Sequence, residues 1–431
     1  MSVPLDRLYN FLHDIVNHDI TIYRFWPHGS KKLESLTPLR PLASWVKEMT
    51  RPHAIFHDQE PLNFHHWKPD DFANHWRKDV IDSKLNPLYL DIHHVDHQSL
   101  LHLRGLVETN LYDYILLVHS EKNSKQVDTY FQHGFLPVYY WNHAVIAIDW
   151  FRYAIHDPVL KYNHDAFTQD FLIYNRAWSG SREYRLTFLD LIVQANLAKH
   201  CCTSFSPMDS NTHYTQYEFA NPNLKINSTD LETVFPLNVH DSNSSADYNN
   251  QDYAQTGMEI VLETLFDDAR WHLTEKTLRP IACGKPFMLV ATAGSLEYLR
   301  SYGFETFGDL IDESYDLELD PVARLNCVIQ EMSRISRLNQ AEKNMLWHEL
   351  HKIAQRNKQR FFSADWQASI IQEYVDNMNQ ALTTIDQYCS GKHWRQFQDL
   401  DRASDITNTR SQNEIDQVLC YLKFKQDSVP L

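Results

Sequence analysis

Glu259-Ile-Val-Leu-Glu263, Thr274-Glu-Lys-Thr-Leu-Arg-Pro-Ile-Ala-Cys-Gly284 and Pro286-Phe-Met-Leu-Val-Ala291 follow one another along the chain, and their reading decides the fold class. The first and third are short apolar runs of the kind that form buried parallel strands. Between them, Thr274 stands where a helix N-cap is wanted and Gly284 where a left-handed C-cap is wanted, with Pro286 just beyond. Strand, loop, short helix and strand is the repeating unit of an α/β sheet. Ser295 then reads as the N-cap of a further helix that Gly303 ends.

The same grammar runs upstream. Phe171-Leu-Ile-Tyr174 is a strand, Asn175-Arg176 its polar exit, and Arg182 to Ala198 an amphipathic helix with Leu186, Leu189, Ile192 and Val193 on one face. Nearer the N-terminus, Ala54–His57, Tyr114–His119 and Leu136–Trp141 are β-rich runs with helical patterns around them. Residues 208–253, rich in Asn, Ser, Asp and Tyr, read as a long loop or insertion. Pro321 to Met378 is helical in pattern, and residues 379–431 are polar and helical with a loose end. The expected organisation is an N-terminal α/β domain over 1–160, a second over 161–385, and a helical extension over 386–431.

Length supports that division, since 431 residues exceed what one hydrophobic core usually serves. The chain carries 40 Lys and Arg against 56 Asp and Glu, a net charge of −16, which argues against a protein that coats nucleic acid or an anionic membrane over its whole surface. The stretch 225–320 alone holds 18 acids and 6 bases, whereas residues 1–165 hold 17 of the 24 histidines, so the two halves differ in chemistry. Six cysteines without a CxxC pair indicate neither a zinc ribbon nor a disulfide framework, and fit a reducing compartment. With no basic leader and no apolar run near the roughly 20 residues of a membrane span, the chain reads as cytosolic.

Trp271-His-Leu-Thr-Glu-Lys-Thr-Leu-Arg279 puts Glu275, Lys276 and Arg279 on the opening turns of a helix after a strand and a loop. A helix start offers free N–H groups and partial positive charge, so with two added cations it suits a diphosphate, and Glu275 suits ribose hydroxyls. The alternative is a solvated helix face with an ordinary ion pair. At the exit of the 171–174 strand, Asn175 and Arg176 precede Ser179-Gly180-Ser181, Arg182 and Arg185. Arginines around one such turn can grip phosphate oxygens, and the Ser-Gly-Ser backbone can approach them closely. The absence of GxGxxG argues against a dinucleotide, and a plain helical surface row is the other reading of Arg182 and Arg185.

These segments resemble glycosyltransferases of the GT-B type. Glu263-Thr264, Thr274-Glu275-Lys276-Thr277, Arg279-Pro280 and Gly284-Lys285-Pro286-Phe287 are similar to the donor-binding helix of fucosyltransferase-like enzymes. The chain is closer still to a group of glycosyltransferase-like proteins common in phage genomes, through Gly294-Ser-Leu-Glu-Tyr-Leu299, Gly303-Phe304, Thr306-Phe307 and Asp312-Glu-Ser-Tyr-Asp316. His57-Asp-Gln-Glu-Pro61, Val118-His-Ser-Glu-Lys-Asn123 and Val138-Tyr-Tyr-Trp-Asn-His143 extend the likeness over most of residues 50–320.

The resemblance implies two facing Rossmann-like domains and transfer of a sugar from a nucleotide-sugar donor to an acceptor hydroxyl, without a cofactor or bound metal. It implies a cytoplasmic location, that of the host if the chain is phage-encoded. Glu275 would meet the donor ribose, Lys276, Arg176 and Arg185 the diphosphate, with the helix start at Thr274, and Glu263 the sugar or nucleoside. The acceptor would be a glycan or a hydroxylated DNA base, the acidic charge leaning against DNA.

An inverting transfer needs a base, and Asp58 or Glu60 at the end of the Phe56-His57 strand facing the crevice suits it, with His119 and Glu121 as rivals. Helix capping or a structural ion pair is the competing role for each carboxylate. Asp91-Ile-His-His-Val-Asp-His97 has ligand-type residues, but without HExxH or CxxC it reads as surface rather than metal site. Tyr139-Tyr140-Trp141 and Trp150-Phe151-Arg152-Tyr153 read as packing before stacking on a base or sugar. From another class, a non-catalytic nucleotide- or sugar-binding virion or assembly protein fits the same donor residues, and a phosphatase or nucleotidyl hydrolase would instead need clustered metal-binding carboxylates.

Overall fold

The computed structural model describes residues 21–25, 53–57, 115–124, 136–148, 151, 160–235 and 247–389. Among these the protein is α/β, and it divides into two compact units, one holding Trp150–Trp366 and the other the strands that precede it together with the chain from Gln367 onward. The sequence boundaries lie at 160 and 385.

In the first unit, β1 (Thr21–Phe25), β2 (His53–His57), β3 (Ile115–His119) and β4 (Leu136–Tyr139) form a four-stranded sheet in the order β1-β2-β3-β4. Every pairing is parallel. α1 (Asn142–Ile148) follows β4 directly. Tyr140 and Trp141 between them are fully buried, and the Tyr140 ring lies 5.3 Å from Tyr374, so this part of the aromatic stretch packs the unit rather than offering a face to a ligand. Trp150, Arg152 and Tyr153 lie outside the described residues.

The Trp150–Trp366 unit is built on β5 (Gln169–Asn175), α2 (Tyr184–Gln194), β6 (Cys201–Phe205), the two-residue strands β7 (Met208–Asp209) and β8 (Thr212–His213), and short helices α3 (Leu231–Val234) and α4 (Asn250–Gln255). There follow β9 (Thr256–Leu262), α5 (Glu275–Cys283), β10 (Phe287–Val290), α6 (Ser295–Ser301), α7 (Pro321–Ser336) and α8 (Gln340–Phe362). α9 (Ala364–Cys389) completes the described chain. β10, β9, β5 and β6 make a second parallel sheet in that order.

β9 and β10 are buried along their whole length, which is why they read as continuous apolar runs. Strand β9 begins at Thr256, earlier than its apolar run suggests, so Glu259 lies fully buried mid-strand instead of opening it. Its charge is met by Arg279 from α5 and by the Tyr253 hydroxyl. Gly257 lets the strand approach α8, for a Cβ there would stand 2.6 Å from the Trp347 indole.

The caps of α5 are as the sequence predicts: the Thr274 side chain accepts from Lys276 N, and Gly284 closes the helix at φ 66°. At α6 the cap shifts by one, to Gly294 at φ 82°, and Ser295 becomes the first helical residue with its hydroxyl donating to Thr292 O at 2.5 Å. The stretch 208–253 is not a plain loop. β7 and β8 pair as a hairpin turning through Ser210 and Asn211, both at positive φ, and α3 and α4 follow. Buried acids on α2 and at its cap hold this insertion down. Glu183 accepts from Ala220 N and Asn221 N at 2.7 and 2.8 Å, and Asp190 from Ser228 N at 2.8 Å.

Candidate functional site

Strand order fixes where a ligand would sit. The chain leaves β5 for β6 on one side and later enters β9 on the other, so the direction of winding reverses between β5 and β9. In open parallel sheets the crevice over the carboxyl ends at such a reversal is the usual ligand position. The residues at these strand ends are those singled out from the sequence: Asn175, the last of β5, and Arg176 just after it, with Glu263 and the loop to α5 after β9.

This end of the sheet is fastened from α2. Tyr184 Oη donates to Glu263 O at 2.7 Å. Arg185 donates from Nη1 to Ala177 O at 2.6 Å, and from Nη2 to Leu262 O and Glu263 O at 2.6 and 3.0 Å. Arg185 thus ties the exit loops of β5 and β9 together. Its guanidinium is buried and directed at carbonyls, which removes it from the expected diphosphate ligands, and burial lowers its pKa.

Arg279 is also reassigned. It is buried against Glu259 with its guanidinium 4.9 Å from the Tyr174 ring centre. Burial works against its charge, and the Glu259 carboxylate more than restores it, so its pKa stands above the ordinary arginine value. Lys276, one turn earlier on the same side of α5, is 18% exposed against 5% for Arg279, so depth rather than helix phase separates the two cations.

Glu263 is fully buried, just past the end of β9. One carboxylate oxygen accepts from Thr274 N at 2.9 Å and Thr277 Oγ1 at 2.5 Å. The other accepts from Thr274 Oγ1 at 2.8 Å and Thr264 N at 3.1 Å. The carboxylate therefore fills the start of α5 from within, and its four hydrogen bonds leave it no position against a sugar or nucleoside.

Beside it stand Glu275 and Lys276, paired at 3.0 Å with side chains 12% and 18% exposed. That partial exposure separates this pair from the Arg279–Glu259 pair, whose side chains are 5% and 0% exposed. Lys276 Nζ also donates to Thr274 Oγ1 and Thr264 Oγ1 at 3.2 and 3.3 Å. Across the sheet, Asn175 is buried as the last residue of β5, Arg176 is exposed immediately after it, and Arg182 is half-buried ahead of α2. Trp271, half-buried in the β9–α5 loop, donates from Nε1 to Ala293 O at 2.9 Å and stacks on Tyr298 with centroids 5.9 Å apart.

The Ser179-Gly180-Ser181 turn is not open to a phosphate. Trp178 N and Ser179 N both donate to Asp209 Oδ2, at 2.8 and 2.7 Å, and Gly180 N donates to Tyr217 Oη at 3.1 Å. Burial raises the Asp209 pKa, but these hydrogen bonds and nearby Arg182 outweigh it and hold the carboxyl below its usual value. Asp209, Glu183 and Asp190 carry no motif in the sequence. Glu183 and Asp190 take their partners from the insertion and Asp209, within it, takes its partners from the β5–α2 turn, so spacing along the chain did not reveal them.

In the first unit, His119 closes β3 and is buried, and its Nδ1 accepts from Glu121 N at 3.3 Å. Burial takes its pKa down to about 3, a neutral imidazole with little affinity for a proton near pH 7. Glu121 is buried beside it. Asp58, Glu60 and the Asp91–His97 cluster lie outside the described residues. Among the described residues no group of His, Cys, Asp and Glu has metal-binding geometry, and no helix is long and apolar enough to cross a membrane. No family model matches the chain, and no curated protein or solved structure matches it.

Proposed function

We propose that the chain is a glycosyltransferase that holds a nucleotide-sugar donor over the carboxyl ends of β5 and β9 and moves the sugar to an acceptor hydroxyl. The observation that carries this reading is the partly exposed Glu275–Lys276 pair at the start of α5, at the reversal point of a parallel sheet. Negative charge builds on the leaving diphosphate as the glycosidic bond breaks, and a fixed ammonium beside it lowers the barrier most where charge develops. Lys276 supplies that cation, Arg176 just past the neighbouring strand β5 a second, and Arg182 reinforces the same edge. Glu275, released from Lys276 by the phosphate, accepts from ribose hydroxyls. The arrangement of two Rossmann-like units, GT-B in type, belongs to this proposal.

His119 is a poor base at neutral pH, which leaves the carboxylates Asp58, Glu60 and Glu121 to take the acceptor's proton in this reading. A net charge of −16 favours a glycan over a hydroxylated DNA base as acceptor. The test is release of nucleotide from UDP-, GDP-, ADP-, dTDP- and CMP-linked sugars by the purified protein. One donor is expected to be slowly hydrolysed, and Asp58→Ala or Glu60→Ala to reduce that rate by about 100-fold or more. A donor that binds and is never turned over would overturn the enzyme in favour of a binding protein.

A further inference from the structure

We infer that Glu263 is a positioning residue for Lys276, acting through the hydroxyl proton of Thr274. Both threonine hydroxyls that touch Glu263 donate to its carboxylate oxygens, alongside the N–H groups of Thr264 and Thr274. At Thr274 this aims the O–H at Glu263 and turns the oxygen lone pairs outward. Two donors arrive on that side, Lys276 N at 3.3 Å and Lys276 Nζ at 3.2 Å. Neither can accept, so the hydroxyl works for Lys276 only in the orientation that Glu263 imposes.

The second neutral anchor of the ammonium, Thr264 Oγ1, belongs to a residue whose N–H is held by the same carboxylate at 3.1 Å. Glu263 in turn is fixed through its own carbonyl by Tyr184 and Arg185 of α2. A chain of directed hydrogen bonds thus runs from α2 through Glu263 and Thr274 to the ammonium. Two neutral hydroxyls hold the ammonium in place, so it keeps its position when Glu275 gives way to an anion.

An amide in place of the carboxylate breaks this pattern in either orientation. One oxygen faces Thr274 N with Thr277 Oγ1 and the other faces Thr264 N with Thr274 Oγ1, so the NH2 of Gln would oppose a backbone N–H whichever way it turned. The effect on Lys276 stands by itself. Its consequence for a diphosphate rests on the functional reading above.

The experiment is amine labelling with an N-hydroxysuccinimide acetate, read residue by residue by mass spectrometry, on wild type, Glu263→Gln, Thr274→Val and Thr274→Ser. Lys276 is expected to label at least 5-fold faster in Glu263→Gln and Thr274→Val. Thr274→Ser, which keeps the hydroxyl, is expected to label at the wild-type rate, as are the other lysines. Fully buried Lys285 reports on folding: should it label in Glu263→Gln, that variant has unfolded and Thr274→Val decides. Lys276 labelling at the wild-type rate in a folded Thr274→Val would overturn the proposal.

In parallel, binding of UDP, GDP, ADP and dTDP is measured by calorimetry, with about a 10-fold loss expected in Glu263→Gln and Thr274→Val. If none binds the wild type, the donor reading fails while the labelling result still decides the role of Glu263. If one binds all variants equally despite faster labelling, Lys276 does not meet the diphosphate.

Discussion

Lys285 is the residue whose burial has the clearest measurable consequence. It is fully buried, donates to Tyr253 O at 2.7 Å and to Thr256 O, and lies 4.9 and 5.1 Å from the ring centres of Tyr162 and Phe167. Burial pulls its pKa from 10.5 down to about 7, against the nearby Glu259, which raises it. A lysine that has lost its proton in the folded chain while the unfolded chain still holds one makes folding more favourable as pH rises between those two values. Wild type is therefore expected to gain roughly 2 kcal/mol over Lys285→Met between pH 7 and pH 9, measured by urea unfolding at both. The comparison cancels the titration of groups common to both proteins. Parallel pH curves would mean that Lys285 keeps an ordinary pKa. The Glu259–Arg279 pair shows the same limit of sequence reading at this scale: a Glu at the edge of an apolar run looks like a strand end, and only the pairing register, Phe287 opposite Glu259, places it in the interior.

At the scale of elements, the β7–β8 hairpin and the β5–α2 turn are held together by the Asp209 carboxylate and by a Ser179–Ser210 hydroxyl contact at 3.1 Å. Asp209→Ala would leave Trp178 N and Ser179 N without their shared acceptor, at a cost of about 1–3 kcal/mol. Faster hydrogen exchange is expected at Trp178 and Ser179, with amides in β9 and β10 unchanged. Because the Asp209 pKa is lowered, its contribution is present above the unfolded value of 3.8 and is lost as pH falls through the folded one. Uniform exchange across the unit would contradict a local fastening.

Elements whose ends depend on backbone chemistry were legible: Thr274 and Gly284 bound α5 because an N-cap oxygen and a left-handed C-cap are local needs. The cap of α6 was misassigned by one residue because Gly294 and Ser295 both suit a helix start, and the αL turn selects the glycine. The stretch 208–253 read as a long loop or insertion because two-residue strands are too short to show alternation, and because its anchors, Glu183 at the cap of α2 and Asp190 on it, lie far from it in sequence.

For the whole molecule, the α/β character with parallel sheets followed from continuous apolar runs, whereas the order β10-β9-β5-β6 did not, because long-range pairing leaves no trace in one sequence. That order brings the exits of β5 and β9 together, and burial divides the residues expected there. Arg185, Arg279 and Glu263 are internal, Glu275 and Lys276 keep side-chain exposures of 12% and 18%, and Arg176 is exposed. The central claim is that this edge holds a nucleotide diphosphate through Lys276. It is tested most directly by thermal unfolding of wild type and Lys276→Ala against UDP-, GDP-, ADP-, dTDP- and CMP-sugars, all at one common concentration near 100 times the dissociation constant of the tightest binder. One nucleotide is predicted to stabilise the wild type by about 2.7 kcal/mol, a rise of roughly 5–10 °C in Tm, and to have little effect on Lys276→Ala. An equal rise in both proteins, or none with any nucleotide, would contradict it.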